Sequence, residues 1–329
     1  MFNIALLGAG RIGKLHAENV AANNASRLYA VVDPNEDNAC SVAHLFGARV
    51  QTLQQALEDP KVDAVLIASA TNQHAEQIEA AARHGKAIFC EKPIDLDLGR
   101  VRECLAVAAQ QQVPLFIAFN RRYDPQFVQL KARFDAGEIG KAELLLIVSR
   151  DPSPPPIGYI GVSGGLFRDM MIHDFDMARF ILSEDPVSVY AQGSNLVDPA
   201  IGDAGDIDTA TVVMSFPSGA QATIVNSRRS GYGYDQRIEL HGARGLLRVD
   251  NVREDTVEQW SAEGCIRSTL KESFMERYRA AYQAEWKHFV DVLANRSAIG
   301  CTGRDGEMAL FLAEMAAESL STGRKAIIA

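Results

Sequence analysis

The chain has 329 residues, 47% of them hydrophobic, and carries a formal charge of −9. That is enough apolar material for more than one packed core, while the acidic balance gives no electrostatic reason to bind a phosphate polymer or an anionic membrane, so neither nucleic acid nor membrane is an expected partner. Five cysteines (Cys40, Cys90, Cys104, Cys265, Cys301), odd in number and without a CxxC pair, give neither a disulfide framework nor a zinc knuckle, and are expected to be reduced and mostly packed.

The amino-terminal run MFNIALLGAGRIG reads as a buried strand and a glycine turn, not as a charged leader, and no apolar run reaches the roughly 18 residues of a membrane span. A cytoplasmic location is expected. From Asn3 to Val113, short apolar runs (NIALLG, RLYAVVD, ARVQ, DAVLIAS, AIFCEKP, PLFIAF) alternate with helix-like segments, the sequence form of a parallel, doubly wound α/β sheet. The expected boundary lies at 121, with a dinucleotide-binding domain over 1–121 and a substrate-binding and oligomerisation domain over 122–329.

Gly8, Gly10 and Gly13 form GxGxxG directly between the first strand and the helix KLHAENVAAN. The pattern is weak alone, but here it has the context it needs: the glycines permit a tight turn, let backbone approach a pyrophosphate, and seat a helix whose N–H groups face the anion. Asp33 ends the second strand about 20 residues further on, where a carboxylate binds ribose hydroxyls. Its followers Pro34, Asn35, Glu36 and Asp37 include no cation for a 2′-phosphate, so NAD is expected over NADP. Arg11 and Ile12 lie inside the motif and are counted with the cofactor site. SATNQH, from Ser69 to His74, begins a helix at a strand's carboxyl end. Ser69, Thr71 and Asn72 are candidates for the nicotinamide half, with helix capping as the competing role; His74 is counted with the cofactor site, although by itself it reads as structural. In CEKPI, Pro93 keeps Lys92 out of helical conformation and makes an abrupt exit from the sheet, so Lys92 and its neighbour Glu91 are candidates at the crevice.

After Phe119 the pattern changes. A helical stretch near Pro125 to Gly137 leads into ELLLIVSR, VSVYAQGSNLV, DTATVVMSF, GAQATIVNSRRS, DQRIELHG and GLLRVDN, with breakers such as Pro217, Ser218 and Gly219, which predicts a large, mostly antiparallel sheet in an α+β domain. DPSPPP, Asp151 to Pro156, is a stiff loop. Beyond Lys271, FMERYRAAYQAEWKHFVDVL and DGEMALFLAEMAAESL read as helices, and no repeat is present. Within SGGLFRDMMIHDFDMARFIL, Asp169, His173 and Asp176 recur at i, i+4 and i+7, which puts them on one face of one helix, with Ile172, Phe175, Phe180 and Ile181 as an anchoring stripe and Gly164 and Gly165 at its approach. Oxidising an alcohol requires a base for the hydroxyl proton, and a histidine titrating near neutrality suits it. A surface Asp/His pair, a satisfied buried histidine and a metal site of His173 with the two acids are the competing readings; no metal is expected, because Lys92 can stabilise an alkoxide without one.

On GAGRIG, Asp33, CEKP and GGLFRDMMIHDFD, the chain resembles the glucose-fructose oxidoreductase, inositol dehydrogenase and rhizopine-catabolism family over essentially its whole length. FNRRYDPQF, SRDPSPPP, YGYDQRIELHG and FMERYRAAYQAE are similar to its inositol 2-dehydrogenase branch. The resemblance implies a Rossmann domain followed by an open-faced α/β domain, a Lys92, Asp169 and His173 catalytic set, a Lys92–Pro93 bond that can be cis, and a homotetramer. It also implies Asn120, Arg122, Asp151, Tyr159, Asp176 and Tyr234 as polyol contacts. Asn120 departs from the apolar residue expected in AFNRRYD. The activity so implied is NAD-dependent oxidation of a cyclic polyol, with inositol as substrate. Another inositol isomer, an aldose sugar, and a ligand sensor that kept the NAD fold without the chemistry are the alternatives.

Overall fold

The computed structural model describes residues 1–328, which divide into two compact units, one of residues 1–120 with 281–310 and one of residues 121–280 with 311–328.

The first unit opens with β1 (Phe2–Leu7), α1 (Arg11–Ala22), β2 (Ser26–Val32), α2 (Glu36–Phe46), β3 (Arg49–Val50), α3 (Leu53–Glu58), β4 (Ala64–Ile67), α4 (Thr71–Arg83), β5 (Ala87–Glu91), α5 (Leu98–Gln111) and β6 (Leu115–Ala118). Its six strands are all parallel, in the order β3-β2-β1-β4-β5-β6. Strands covered on both faces must be apolar throughout; accordingly every residue of β4 and β6, and Ala87 to Cys90 of β5, is buried. Helix starts follow from local chemistry. Thr52 and Gln55 form a reciprocal capping box on α3, and the Asp97 side chain accepts the Arg100 N–H at the start of α5. The strand order reverses direction between β1 and β4, so the carboxyl ends of those two strands open the crevice where doubly wound sheets bind ligands.

A 3-10 turn (Asn120–Tyr123) leads into the second unit, which continues with α6 (Pro125–Asp135), β7 (Ala142–Arg150), α7 (Ile157–Ser163), α8 (Gly165–Asp169), α9 (Ile172–Leu182), β8 (Ser188–Ser194), α10 (Pro199–Asp203), β9 (Thr209–Ser215), β10 (Gln221–Ser227), β11 (Asp235–Gly242), β12 (Gly245–Val249), a hairpin of β13 (Glu258–Ser261) and β14 (Gly264–Arg267), and α11 (Phe274–Arg277). Helices α12 (Arg279–Leu293) and α13 (Gly303–Thr322) and strand β15 (Ala326–Ile327) end the chain. A seven-stranded sheet runs β12-β11-β7-β10-β9-β8-β15, antiparallel except for the β7–β10 pair. Strand alternation makes one face of it the core. Leu247, Leu240, Leu145, Ala222, Met214, Val189 and Ala326 stand side by side across all seven strands, and all are buried. The neighbouring row of Val249, Ile238, Ile147, Ile224, Val212 and Ala191 is buried too.

Two expectations of continuous helix are corrected. The segment carrying Asp169, His173 and Asp176 is two helices: α8 ends at Asp169, the Met170 and Met171 N–H groups both turn back to the Leu166 carbonyl, and α9 starts at Ile172. The FMERYRAAYQAE segment likewise breaks at Tyr278. The exposed hairpin β13–β14 and the helix α7 after DPSPPP carried no expectation. Cys90, Cys104 and Cys301 are buried, and no disulfide joins any of the five cysteines. Among the described residues no helix is long and apolar enough to cross a membrane.

Candidate functional site

In the first unit, the turn after β1 depends on its glycines in three different ways. Gly8 adopts φ +97°, and a Cβ there would lie 2.5 Å from the Ala68 carbonyl oxygen at the end of β4. At Gly13 a Cβ would fall 1.9 Å from the Gly8 oxygen, so only glycine lets α1 sit down on the turn. A Cβ on Gly10 meets nothing, and Gly10 caps α1 without a side chain. The turn is therefore filled by backbone on its inner side and open over the α1 N-terminus, a cradle of the size and polarity that a pyrophosphate requires. Asp33 is fixed at its edge: Oδ2 accepts the Ala9 N–H at 2.6 Å and Oδ1 the Asn35 N–H at 2.8 Å. These residues fit a dinucleotide.

At the next strand end, Thr71 and Asn72 occupy the first turn of α4 with partly and fully exposed side chains, and the N-cap Ala70 supplies no side-chain bond. The capping role is thus not theirs. Ser69 Oγ donates to Gln77 Oε1 at 2.8 Å. His74 is buried, with Nδ1 2.8 Å from the Pro93 carbonyl and Nε2 3.1 Å from the Ser69 carbonyl. Both ring nitrogens are spent on backbone, so His74 ties the Ser69 loop to the Lys92–Pro93 corner and does not offer a nitrogen to a ligand. Pro93 follows a cis bond, and Lys92 and Glu91 are half-buried. The Glu91 carboxylate bonds His16 Nε2 of α1 at 2.7 Å, an interaction without any short-range sequence signal. Asn120 is buried at the end of this unit.

In the second unit, Gly164 and Gly165 both adopt left-handed backbone (φ +83° and +82°), and a Cβ on Gly165 would lie 2.7 Å from Asp206 Oδ1, which accepts the Leu166 N–H instead. This sets the direction of α8. Asp169 at its end is half-buried and accepts the Tyr159 hydroxyl at 3.1 Å. His173 is half-buried, with Nδ1 enclosed. The stripe behind it is packed as expected at Ile172, Phe175 and Ile181, but Phe180 is only half-buried.

The face expected to be open is largely closed. Asp174, buried completely, accepts Arg121 at 2.5 Å, Ser149 Oγ at 2.7 Å and Asn226 Nδ2 at 2.8 Å, while Gln236 Oε1, 3.2 Å from the same Ser149 hydroxyl, receives the Tyr278 hydroxyl. Arg122 and Asp176 form a buried two-bond pair, each bond 2.7 Å. Burial works against the Arg121 charge, yet the Tyr278 phenol and the Asp174 carboxylate outweigh it and hold the guanidinium above its ordinary value. Asp151 keeps a little accessible surface but is enclosed on most sides. That enclosure, reinforced by the Asp169 and Asp174 carboxylates and opposed by Arg121 and Arg228, pushes its pKa up to about 6. Burial likewise drives the Tyr234 phenol well up, against the pull of Arg121, and Tyr234 stands edge-on to Tyr278 with centroids 6.1 Å apart. Arg121, Asp174, Ser149, Asn226 and Gln236 were not anticipated.

A parallel six-strand sheet with a glycine-cradled helix end and an anchored acid defines a dinucleotide-binding oxidoreductase fold. Residues 2–119 match the family described as oxidoreductase family, NAD-binding Rossmann fold, and residues 127–248 match the GFO/IDH/MocA C-terminal domain. The chain is 48% identical over 324 residues to the inositol 2-dehydrogenase of Rhizobium meliloti (strain 1021), covering 98% of both chains. Among solved structures, the myo-inositol dehydrogenase of Corynebacterium glutamicum superimposes with a TM-score of 0.96 at 40% identity over 100% of this chain and 99% of that one. The scyllo-inositol dehydrogenase of Lactobacillus casei, solved with NAD(H) and scyllo-inositol, gives 0.92 at 29% identity over 99% and 98%. The chain belongs to the GFO/IDH/MocA oxidoreductase family.

Proposed function

We propose that the protein is an NAD-dependent dehydrogenase that oxidises a ring hydroxyl of a cyclic polyol, with myo-inositol as substrate and 2-keto-myo-inositol (scyllo-inosose) as product. The observation that carries this reading is the exposure pattern of α9: Asp174, Asp176 and Arg179 are buried, and His173 is the one polar side chain of the helix left partly open, a turn away from a half-buried Asp169. A histidine that only packed would not be singled out in this way.

The glycine turn and the α1 N-terminus would hold the pyrophosphate, Asp33 the adenosine ribose, and Ser69, Thr71 and Asn72 the nicotinamide half. When bound, NAD supplies the hydride acceptor. The chain supplies the rest. His173 takes the hydroxyl proton on Nε2, since Nδ1 is enclosed. Lys92 stabilises negative charge developing on the substrate oxygen, and Asp169, steadied by Tyr159, orients the hydroxyl. Asn120, Asp151, Tyr159 and Tyr234 are polyol contacts in this reading, whereas Arg122 and Asp176, bonded to each other, hold α9 in place. A cytoplasmic homotetramer is part of the same proposal; five cysteines outside any disulfide and an open sheet face support it.

NADH formation across a panel of inositols and aldoses, with NAD and NADP compared, tests this. The expected result is the highest kcat/KM on myo-inositol and at least a roughly tenfold preference for NAD. A better isomer would move the substrate assignment, since a relative acts on scyllo-inositol; no turnover on any member would favour the sensor.

A further inference from the structure

Glu285 lies on α12 within the first unit, is completely buried, and meets no hydrogen-bond donor with either carboxyl oxygen among the described residues. It faces His16 from α1 and Glu91 from the end of β5, with one ligating atom of each within 4.8 Å of the others. The walls are aromatic. Phe89 and Tyr282 stand edge-on to the His16 ring at 5.2 and 5.6 Å, and Trp286 stands edge-on to Phe89. If Glu91 and Glu285 were both ionised, even a protonated His16 would leave a net negative charge in this setting. Two carboxylates this close repel strongly in a poorly polarisable interior, and Glu285 has no donor to compensate.

Two species could relieve this: a divalent cation or a proton. His16 Nε2 and Glu91 Oε1 are 2.7 Å apart, which is hydrogen-bond spacing. Two ligands of one tetrahedral zinc stand roughly 3.3 Å apart, so a cation would have to open that pair. We infer that Glu285 is held as a neutral carboxylic acid and acts as a positioning residue: by carrying the proton, it leaves the Glu91 carboxylate to His16 alone and so fixes the strand end from which Lys92 emerges. The positioning half rests on the proposed role of Lys92; the proton half does not. Burial, and then the charge of Glu91, keep the Glu285 carboxyl well above the usual carboxylate range, in the direction this requires. The titratable groups facing it are Glu91 from β5 and His16 from α1, with Tyr282 on its own helix.

An acid whose folded pKa exceeds its unfolded value contributes stability that is complete below the unfolded pKa and is lost as pH rises toward the folded one. Thermal unfolding of the full chain and of Glu285→Gln between about pH 5 and 9 therefore reads the proton directly. The glutamine variant should become progressively more stable than the wild type as pH rises, the gap in Tm widening by at least about 3 °C, with kcat kept within about twofold. Glu285→Leu, as neutral as the protonated acid, should likewise keep kcat within about twofold, and both variants should hold kcat at the high-pH end, where that of the wild type declines as Glu285 ionises. A gap that does not change with pH, a stoichiometric divalent metal in the purified protein, or a wild-type kcat that declines with pH no faster than those of the two variants overturns the inference. If the Lys92 reading alone is wrong, Lys92→Ala keeps its turnover while the pH-dependent gap of Glu285→Gln remains.

Discussion

Asp151 ionises against its surroundings. Its folded pKa of about 6 lies above the ordinary aspartate value, so the stability it contributes is complete below the unfolded pKa and is lost as pH rises through the window from about 4 to 6. Asp151→Asn should remove that loss: stability equal to the wild type near pH 4 and greater above pH 6, by an amount on the order of 2 kcal/mol, read by denaturant unfolding at a series of pH values. A carboxylate that costs stability where a neutral amide would not is what a ligand-binding position looks like. The same variant should therefore raise the polyol KM by about tenfold while leaving NAD affinity within a few fold; an unaffected KM would remove Asp151 from the polyol contacts. Residues of this kind are only half legible in sequence. The SRDPSPPP segment marks Asp151 through resemblance, but its shifted titration depends on Arg121, Asp169, Asp174 and Arg228, which no local pattern brings together.

At the scale of the element, α9 separates two kinds of polar residue that its sequence presents alike. Asp174 and Arg121 pair in the interior, so Arg121→Met would leave a buried carboxylate with only neutral donors and should cost about 3–5 kcal/mol in unfolding free energy. His173→Ala removes a half-buried ring and should change stability by no more than about 1 kcal/mol, yet lower kcat by about 10² to 10⁴ with NAD affinity held within a few fold. In the wild type, kcat/KM should rise through one ionisation between about pH 6 and 8, and His173→Ala should lose that limb. Retention of rate and limb together would pass the role of base to Lys92. The glycine turn was readable because its requirements are local, a positive φ at Gly8 and a backbone approach at Gly13. The break between α8 and α9 was not, since DMMIHD contains no glycine or proline to mark it. The partners of Asp174 lie 25, 52 and 53 residues away in sequence, on strands β7 and β10 and in the 3-10 turn, which a linear reading does not bring together.

For the whole molecule, the alternating strand patterns made the open sheet legible, whereas the β13–β14 hairpin, with Trp260 and Ile266 exposed, buries no face whose period could be read. The outer face of the large sheet shows what such alternation leaves behind. Opposite the buried rows, Leu246, His241, Leu144 and Gln221 stand side by side, and Arg248, Glu239, Leu146, Thr223 and Val213 form the next row. Leu144 is 55% exposed and Leu246 48%. Leucines so placed on β12 and β7, with His241 of β11 between them and Arg248 and Glu239 in the next row, suit a surface that another subunit covers. If the proposed tetramer uses this face, Leu144→Glu combined with Leu246→Glu should lower the assembly state in light scattering at micromolar concentration. Each substitution lies on the solvent side of its strand, so NAD affinity should be kept and thermal stability in the dissociated state should remain a single cooperative transition. A wild-type protein that scatters as a monomer would end the tetramer proposal, and a double variant that remains tetrameric would move the interface to another surface.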